Sequence, residues 1–111
     1  MTQLIFTTKI VGLTFNDDYP NNVFSIAAGI ATGDDSLDLV REPDNEFDSN
    51  AISLFKDGKK LGHVSKKMAS FIAPQMDAGI EYHCSIEGIV VSQENPDQPG
   101  LKITIWSPSV E

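Results

Sequence analysis

Short runs alternating between apolar and polar side chains make up most of the chain, and one stretch repeats at helical spacing. Residues 4–15 are rich in β-branched and aromatic side chains and predict a long first strand. Asp17-Asp18-Tyr19-Pro20-Asn21-Asn22 reads as a turn. Residues 23–30 predict a second strand, although Ala27-Ala28-Gly29 fits one poorly. Leu37-Asp38-Leu39-Val40-Arg41 alternates with period two, as a half-buried strand does. A polar loop over residues 42–50 leads into a strand at residues 51–55. Asp57-Gly58 marks a tight hairpin, with residues 60–64 as the return strand. Ser65 is a good N-cap, because its hydroxyl can accept from free first-turn amides. Met68, Ile72 and Met76 repeat at four behind it, with Ala69 and Ala73 beside them, so a helix follows from Lys66. Pro74 lacks an amide hydrogen and predicts a break near Ala73, and Gly79 ends the unit. Residues 80–91 and 101–106 predict two last strands around a turn-rich loop. The pattern is mainly β with one helix, a small, partly open barrel of the OB-like or SH3-like kind.

Length then sets the scale. A chain of 111 residues is one domain's worth, 1–111 with its core at about 9–106, and buries roughly two-thirds of its surface on folding. Its longest apolar runs are far short of a membrane span. Met1 to Phe6 lacks the basic and long apolar regions of a signal peptide, so a cytoplasmic protein with no membrane partner is expected. The single cysteine, Cys84, excludes an intramolecular disulfide.

Charge narrows the partners. Sixteen acids against eight bases give a net charge of -8, so a generic basic coat for nucleic acid is absent. Polyanion binding would rest on a few placed cations. Five of the bases cluster, at Lys56, Lys59, Lys60, Lys66 and Lys67.

Candidate chemistry is sparse. His63, His83 and Cys84 are the only soft metal ligands and form no paired zinc motif. Asp44, Glu46, Asp48 and Asn50 sit in a pattern like a calcium loop. Ser49 stands where that loop needs glycine, and Phe55 where it needs the bidentate glutamate. No cofactor is expected. His83 and Cys84 are strand neighbours pointing to opposite faces, which makes a poor base–nucleophile pair. No phosphate-binding glycine pattern occurs, and no catalytic role is expected.

Nucleic acid remains. Single strands are held by aromatic platforms under bases and by cations or amides on phosphates. Phe15 ends the first strand and Phe47 sits among Asp, Asn and Glu. Phe47 taken alone reads as a core plug. Lys66 and Lys67 stand at a predicted helix N-terminus, which favours anions. The loop's Asn and Asp side chains can read a sugar hydroxyl or base edge, or cap the loop's own backbone.

The run Arg41-Glu42-Pro43-Asp44-Asn45-Glu46-Phe47-Asp48-Ser49-Asn50-Ala51-Ile52 resembles the central motif of the HIRAN domain family. Gly58, Leu61-Gly62-His63-Val64 and the helix containing Ala69 follow it as in that family. Val11-Gly12-Leu13-Thr14-Phe15 is similar to its first strand and Ile86-Glu87-Gly88-Ile89-Val90 to a later one. The resemblance runs over about residues 9–106. It implies an OB-like barrel. In a member fused to a SWI/SNF-type ATPase, the domain captures the 3′-hydroxyl end of single-stranded DNA in fork remodelling. Other members stand alone in bacteria and phages, and this chain looks like that kind.

Carried over residue by residue, the resemblance implies a pocket. Phe15 and Phe47 fall where the DNA-binding member has tyrosines packed on the terminal bases; phenylalanine keeps the stacking face and lacks the hydroxyl. Asp48 falls where a carboxylate receives the 3′-hydroxyl. Asn45 matches a base- or backbone-contacting asparagine, His63 and Lys66 match phosphate contacts, and Asn50 matches a loop-ordering asparagine. The family member also presents an aromatic before the last strand, where this chain has Asp97-Gln98-Pro99. The expected function is a non-catalytic module for single-stranded DNA 3′ ends, in DNA repair or fork processing. The alternative is an adaptor whose acidic surface meets a protein partner such as a remodelling ATPase or nuclease.

Overall fold

Along Gly100–Trp106, alternate residues Leu101, Ile103 and Ile105 are fully buried while Lys102 is exposed, the signature of a strand with one face on a core. The computed structural model describes residues 5–107. Its strands are β1 (Ile5–Lys9), β2 (Ser36–Arg41), β3 (Ile52–Lys56), β4 (Lys59–His63), β5 (His83–Val90) and β6 (Gly100–Trp106). Its helices are α1 (Asn21–Ile30) and α2 (Lys66–Asp77), with a 3-10 turn at Leu13–Phe15.

All neighbouring strands pair antiparallel, in the order β1-β6-β5-β2-β3-β4. The sheet curls until its two ends meet at one point. Val11, just past β1, bridges His63 at the end of β4, and the pair exchange both backbone hydrogen bonds at 2.9 and 2.8 Å. Gly62 makes the approach feasible, since a Cβ there would lie 2.2 Å from the Val11 carbonyl oxygen. The result is the mainly β, partly open barrel that the pattern predicts. Ile52, Leu54, Ile72, Leu101, Ile103 and Ile105 form the fully buried centre of its core.

Several elements differ from the sequence expectation. The chain has two helices rather than one. Residues 23–30 form most of α1, not a strand: Val23, Ile26 and Ile30 recur at three and four, Val23 is fully buried, and the other two pack on the core. Pro20 precedes its first turn, and Ala27 and Ala28 favour the helix. The first strand stops at Lys9, because Gly12 takes a left-handed φ of 89° and the chain turns. Leu4, expected in that strand, lies outside the described residues. α2 runs through Pro74 without ending. Buried Ala69, Ile72 and Ala73 hold it to the core, and a proline removes only one of its ladder bonds. It closes instead at Gly79 (φ 98°), where Gly79 N–H donates to the Met76 carbonyl and Ile80 N–H to that of Gln75. β5 therefore starts at His83 rather than Ile80.

Other expectations match. Asp57 and Gly58 both have positive φ, 51° and 84°, as a two-residue hairpin of mirror-image type requires. The Ser65 hydroxyl accepts from Met68 N–H at 3.3 Å and starts α2.

Candidate nucleic-acid interface

The polar loop between β2 and β3 is built from its own side chains. The Asn45 Oδ1 accepts from the amides of Phe47 (2.9 Å) and Asp48 (3.0 Å). The Asp48 Oδ1 accepts from Asn50 N–H at 2.9 Å. Both are short Asx turns that satisfy backbone donors a loop would otherwise leave to water. Arg41 clamps the far side, donating to the Ala51 carbonyl (2.8 Å), the Ser49 carbonyl (3.0 Å) and both oxygens of Asp77. That pairing raises the Arg41 pKa and lowers that of Asp77. It also neutralises an acid in the last turn of α2, where the helix dipole opposes it.

Glu42 is the hub. Its carboxylate accepts from Ser53 Oγ, Lys60 Nζ (2.9 Å) and Asn45 Nδ2 (3.1 Å), and it meets His63 Nε2 at 3.1 Å. Hydrogen bonds from Ser53, then Lys60, hold it well below the usual carboxylate range, with Asn45 and His63 adding to them.

The loop is therefore ordered, and Phe47 projects from it at 91% exposure. A ring so exposed plugs no core, which removes the alternative reading of this residue. Phe15 is 90% exposed on the turn after β1. It lines a groove of about 330 Å³ with Gly12, Asn16, Lys60, Gly62 and His63. Asn16 ties that turn to β4 by donating to the carbonyls of Leu13 (2.9 Å) and Leu61 (2.8 Å).

Five of the six candidate residues thus join one constellation. Phe15 and His63 share the groove, while Asn45, Phe47 and Asp48 share the loop. Glu42 connects the two through His63 and Asn45. Asn45 spends its carbonyl oxygen and one amide donor within the loop, so its observed work is ordering. Lys66 stands apart as the exposed first residue of α2, three positions after His63, with no ion pair among the described residues.

Reading the sequence assigned no role to Glu42, Asn16 or Gly62. Glu42 sits between Arg41 and Pro43 at a strand end, but apart from Asn45 its partners lie 11 to 21 positions away, where no local pattern reaches. The lysine cluster also proves heterogeneous. Lys56, Lys59 and Lys60 pair with Asp34, Asp18 and Glu42, leaving Lys66 and Lys67 without an acidic partner among the described residues.

Elsewhere the chemistry is quiet. Cys84 is buried on β5, and burial pushes its thiol up to about 12. His83, on the other face, lies 5.7 Å from the Trp106 ring. Among the described residues no three His, Cys, Asp or Glu side chains converge to hold a metal ion. No helix there is long and apolar enough to cross a membrane.

Comparison with known proteins places this arrangement. The HIRAN domain profile matches residues 5–109. The chain is 31% identical over 80 residues, 70% of its length, to the helicase-like transcription factor of Homo sapiens, and 30% identical over 80 residues to that of Mus musculus. It is 34% identical over 64 residues to an Arabidopsis thaliana protein described as a putative SWI/SNF-related matrix-associated actin-dependent regulator of chromatin subfamily A member 3-like 1. The matched segments cover only 8%, 8% and 7% of those proteins. A crystal structure of a protein from Lactobacillus plantarum superposes with a TM-score of 0.65 at 25% identity, covering 96% of this chain and 95% of that one. The crystal structure of the HIRAN domain of human HLTF superposes at 0.60 and 24% identity, covering 95% of this chain and 77% of that one. With the motif, the barrel and the profile in agreement, the chain belongs to the HIRAN domain family.

Proposed function

We propose that this chain is a single-stranded DNA-binding module that captures a free 3′-hydroxyl end and catalyses nothing itself. The observation that carries the reading is the pair of phenylalanines, Phe15 and Phe47, about nine-tenths exposed on a rigid hydrogen-bonded frame. Exposed aromatic rings cost solvation and give little to the core, whereas base stacking on them is worth about 1–3 kcal/mol each. Its relationship to helicase-like transcription factor supports a nucleic-acid partner.

In this mechanism the last two bases stack on Phe15 and Phe47. Asp48 holds Asn50 N–H with one carboxylate oxygen and offers the other to the terminal hydroxyl. A hydroxyl donates to a carboxylate, and a terminal phosphate is repelled by it. His63, oriented by Glu42 through Nε2, and Lys66 take phosphates. Asn45 holds the loop's shape. With a net charge of -8 and few free cations, binding is weak and steeply salt-dependent. The role in vivo is handling of exposed 3′ ends during repair or fork processing.

Fluorescence anisotropy with matched oligonucleotides ending in 3′-hydroxyl or 3′-phosphate tests this at low and physiological salt. The expected result is tighter binding of the hydroxyl end and loss of that preference in Asp48→Ala. Equal affinity for both ends sinks the mechanism. No binding to either would give the surface to a protein partner, which the exposed acids Asp38, Asp44 and Glu46 would suit if it were basic.

A further inference from the structure

The barrel's seam opens where α2 begins. An antiparallel register continued from Val11–His63 would set Lys9 opposite Ser65 and Thr7 opposite Lys67. It does not continue, because Val64 N–H donates to the Ile52 carbonyl and Lys66 starts a helix. Among the described residues, β1 beyond the Val11 bridge is left with a free edge. Ile10 N–H donates to the Leu101 carbonyl, so by alternation the backbone groups of Thr7 and Lys9 point away from β6, across the gap. That gap is a groove of about 410 Å³ between Phe6 and Thr8 of β1 and Ser65, Lys67, Met68 and Phe71 of α2. Phe6 and Phe71 meet edge to face at 5.3 Å, and Phe71 stays 51% exposed.

Charge says what the groove suits. Arg41, Lys56, Lys59 and Lys60 are spent on acids. The other four bases, Lys9, Lys66, Lys67 and Lys102, have no acidic partner among the described residues. Lys66 and Lys67 open α2 on one side of the seam, whereas Lys9 alternates with Phe6 and Thr8 of β1 and lies on the strand's outer face. Lys102, its cross-strand partner on β6, shares that outer face. In a chain this acidic, two adjacent unneutralised lysines open α2 beside an aromatic-lined gap, and Lys67 lines it.

We infer that the seam between β1 and α2 is a further base subsite, seating the nucleotide next to the two held by Phe15 and Phe47. This rests on the end-capture reading and extends it to a strand of at least three nucleotides. His63 lines the Phe15 groove, and Ser65 and Lys67 line the seam, so a strand leaving the first groove enters the second within four residues. The base packs against Phe71 and Met68, and its phosphate passes Lys66 and Lys67. The competing occupant, a peptide strand added to the β1 edge, would use the outward backbone groups of Thr7 and Lys9 and needs neither phosphate nor base.

The test is anisotropy with 3′-hydroxyl oligonucleotides of two to six nucleotides, and with hexamers abasic at the third position from the 3′ end. Wild type, Phe71→Ser and Lys67→Glu, at two exposed groove-lining positions, are compared after thermal melts confirm folding. Wild-type affinity should rise about tenfold between two and four nucleotides and fall as much with the abasic site. Both variants should flatten that rise and keep dinucleotide affinity. Affinity that stops rising at two nucleotides, or a rise that both variants retain, overturns the subsite while end capture stands. The first of these would leave the β1 edge to a peptide strand. Absence of binding at every length and low salt overturns end capture, and the subsite with it.

Discussion

Phe15 and Phe47 are exposed to almost the same degree, yet the chain holds them out by opposite means. Phe47 stands on a loop whose shape comes from side chains: Asn45 and Asp48 fold it, and Arg41 and Glu42 anchor its ends. Phe15 stands on a turn whose shape comes from backbone. Gly12 takes the left-handed conformation, Phe15 N–H donates to the Gly12 carbonyl at 3.1 Å, and buried Leu13 pins the turn to the core. The turn is placed by a distant contact, the Val11–His63 bridge across the seam. One platform is local and polar; the other depends on closure of the whole barrel.

The sharpest way to separate them is Gly62→Ala. The added Cβ would meet the Val11 carbonyl, which is backbone and cannot step aside. Either the bridge breaks or β4 shifts. Overpacking and two lost backbone bonds together should destabilise by about 3 kcal/mol. Denaturant unfolding measures that loss. Amide chemical-shift changes should centre on residues 10–16 and 61–64 and be smaller over residues 43–50. Equal disturbance of both platforms would show that they are one unit.

The same contrast governs what the sequence reveals. The Phe47 loop is legible because Asn45 and Asp48 act on backbone two or three residues away, so its chemistry is compressed into one run. The Asp57-Gly58 hairpin and the Ser65 cap are legible for the same reason. Residues 10–31 are not, because their conformation is decided at long range. Val11 extends toward β4 rather than β6, and Val23, Ile26 and Ile30, which mark the helical face, are themselves β-branched and so imitate a strand. Pro74 misleads in the other direction, since burial of Ala69, Ile72 and Ala73 outweighs a local rule. Phe47 and Asp48 come out of the sequence as candidates, but the hub that positions their loop does not. Glu42 is one acid among sixteen until Ser53, Lys60 and His63 are brought to it.

Glu42 joins the platforms, so Glu42→Ala should loosen both. It leaves the fully buried Ser53 hydroxyl without its acceptor, a cost of about 2 kcal/mol. It also frees Asn45, Lys60 and His63. The wild-type carboxylate gives a pH signature. Its folded pKa lies below its ordinary 4.5, so the stability it contributes is complete above about pH 4.5 and is lost as pH falls toward the folded value. Melting temperature should therefore fall from pH 5 to pH 3, and Glu42→Gln should flatten that slope. An unchanged slope would assign the acid sensitivity to Asp18 and Asp77, whose pKa values their basic partners also lower.

The finest test pairs two asparagines with mirrored duties. Asn45→Ala removes the acceptor for one exposed and one part-buried amide, and Asn16→Ala removes a donor to the carbonyls of Leu13 and Leu61. Each should cost about 1 kcal/mol of stability, because water can replace part of each interaction. Their effects on hydrogen exchange should diverge. Losing Asn45 exposes donors, so the Phe47 and Asp48 amides should exchange faster at once. Losing Asn16 exposes acceptors, while the Phe15 and Asn16 amides keep their partners in Gly12 and Leu13. Exchange near Phe15 should then change little unless the turn itself opens. If both variants accelerate their local amides equally, the Phe15 turn owes its shape to the Asn16 side chain as much as to its backbone, and the contrast between the two platforms disappears.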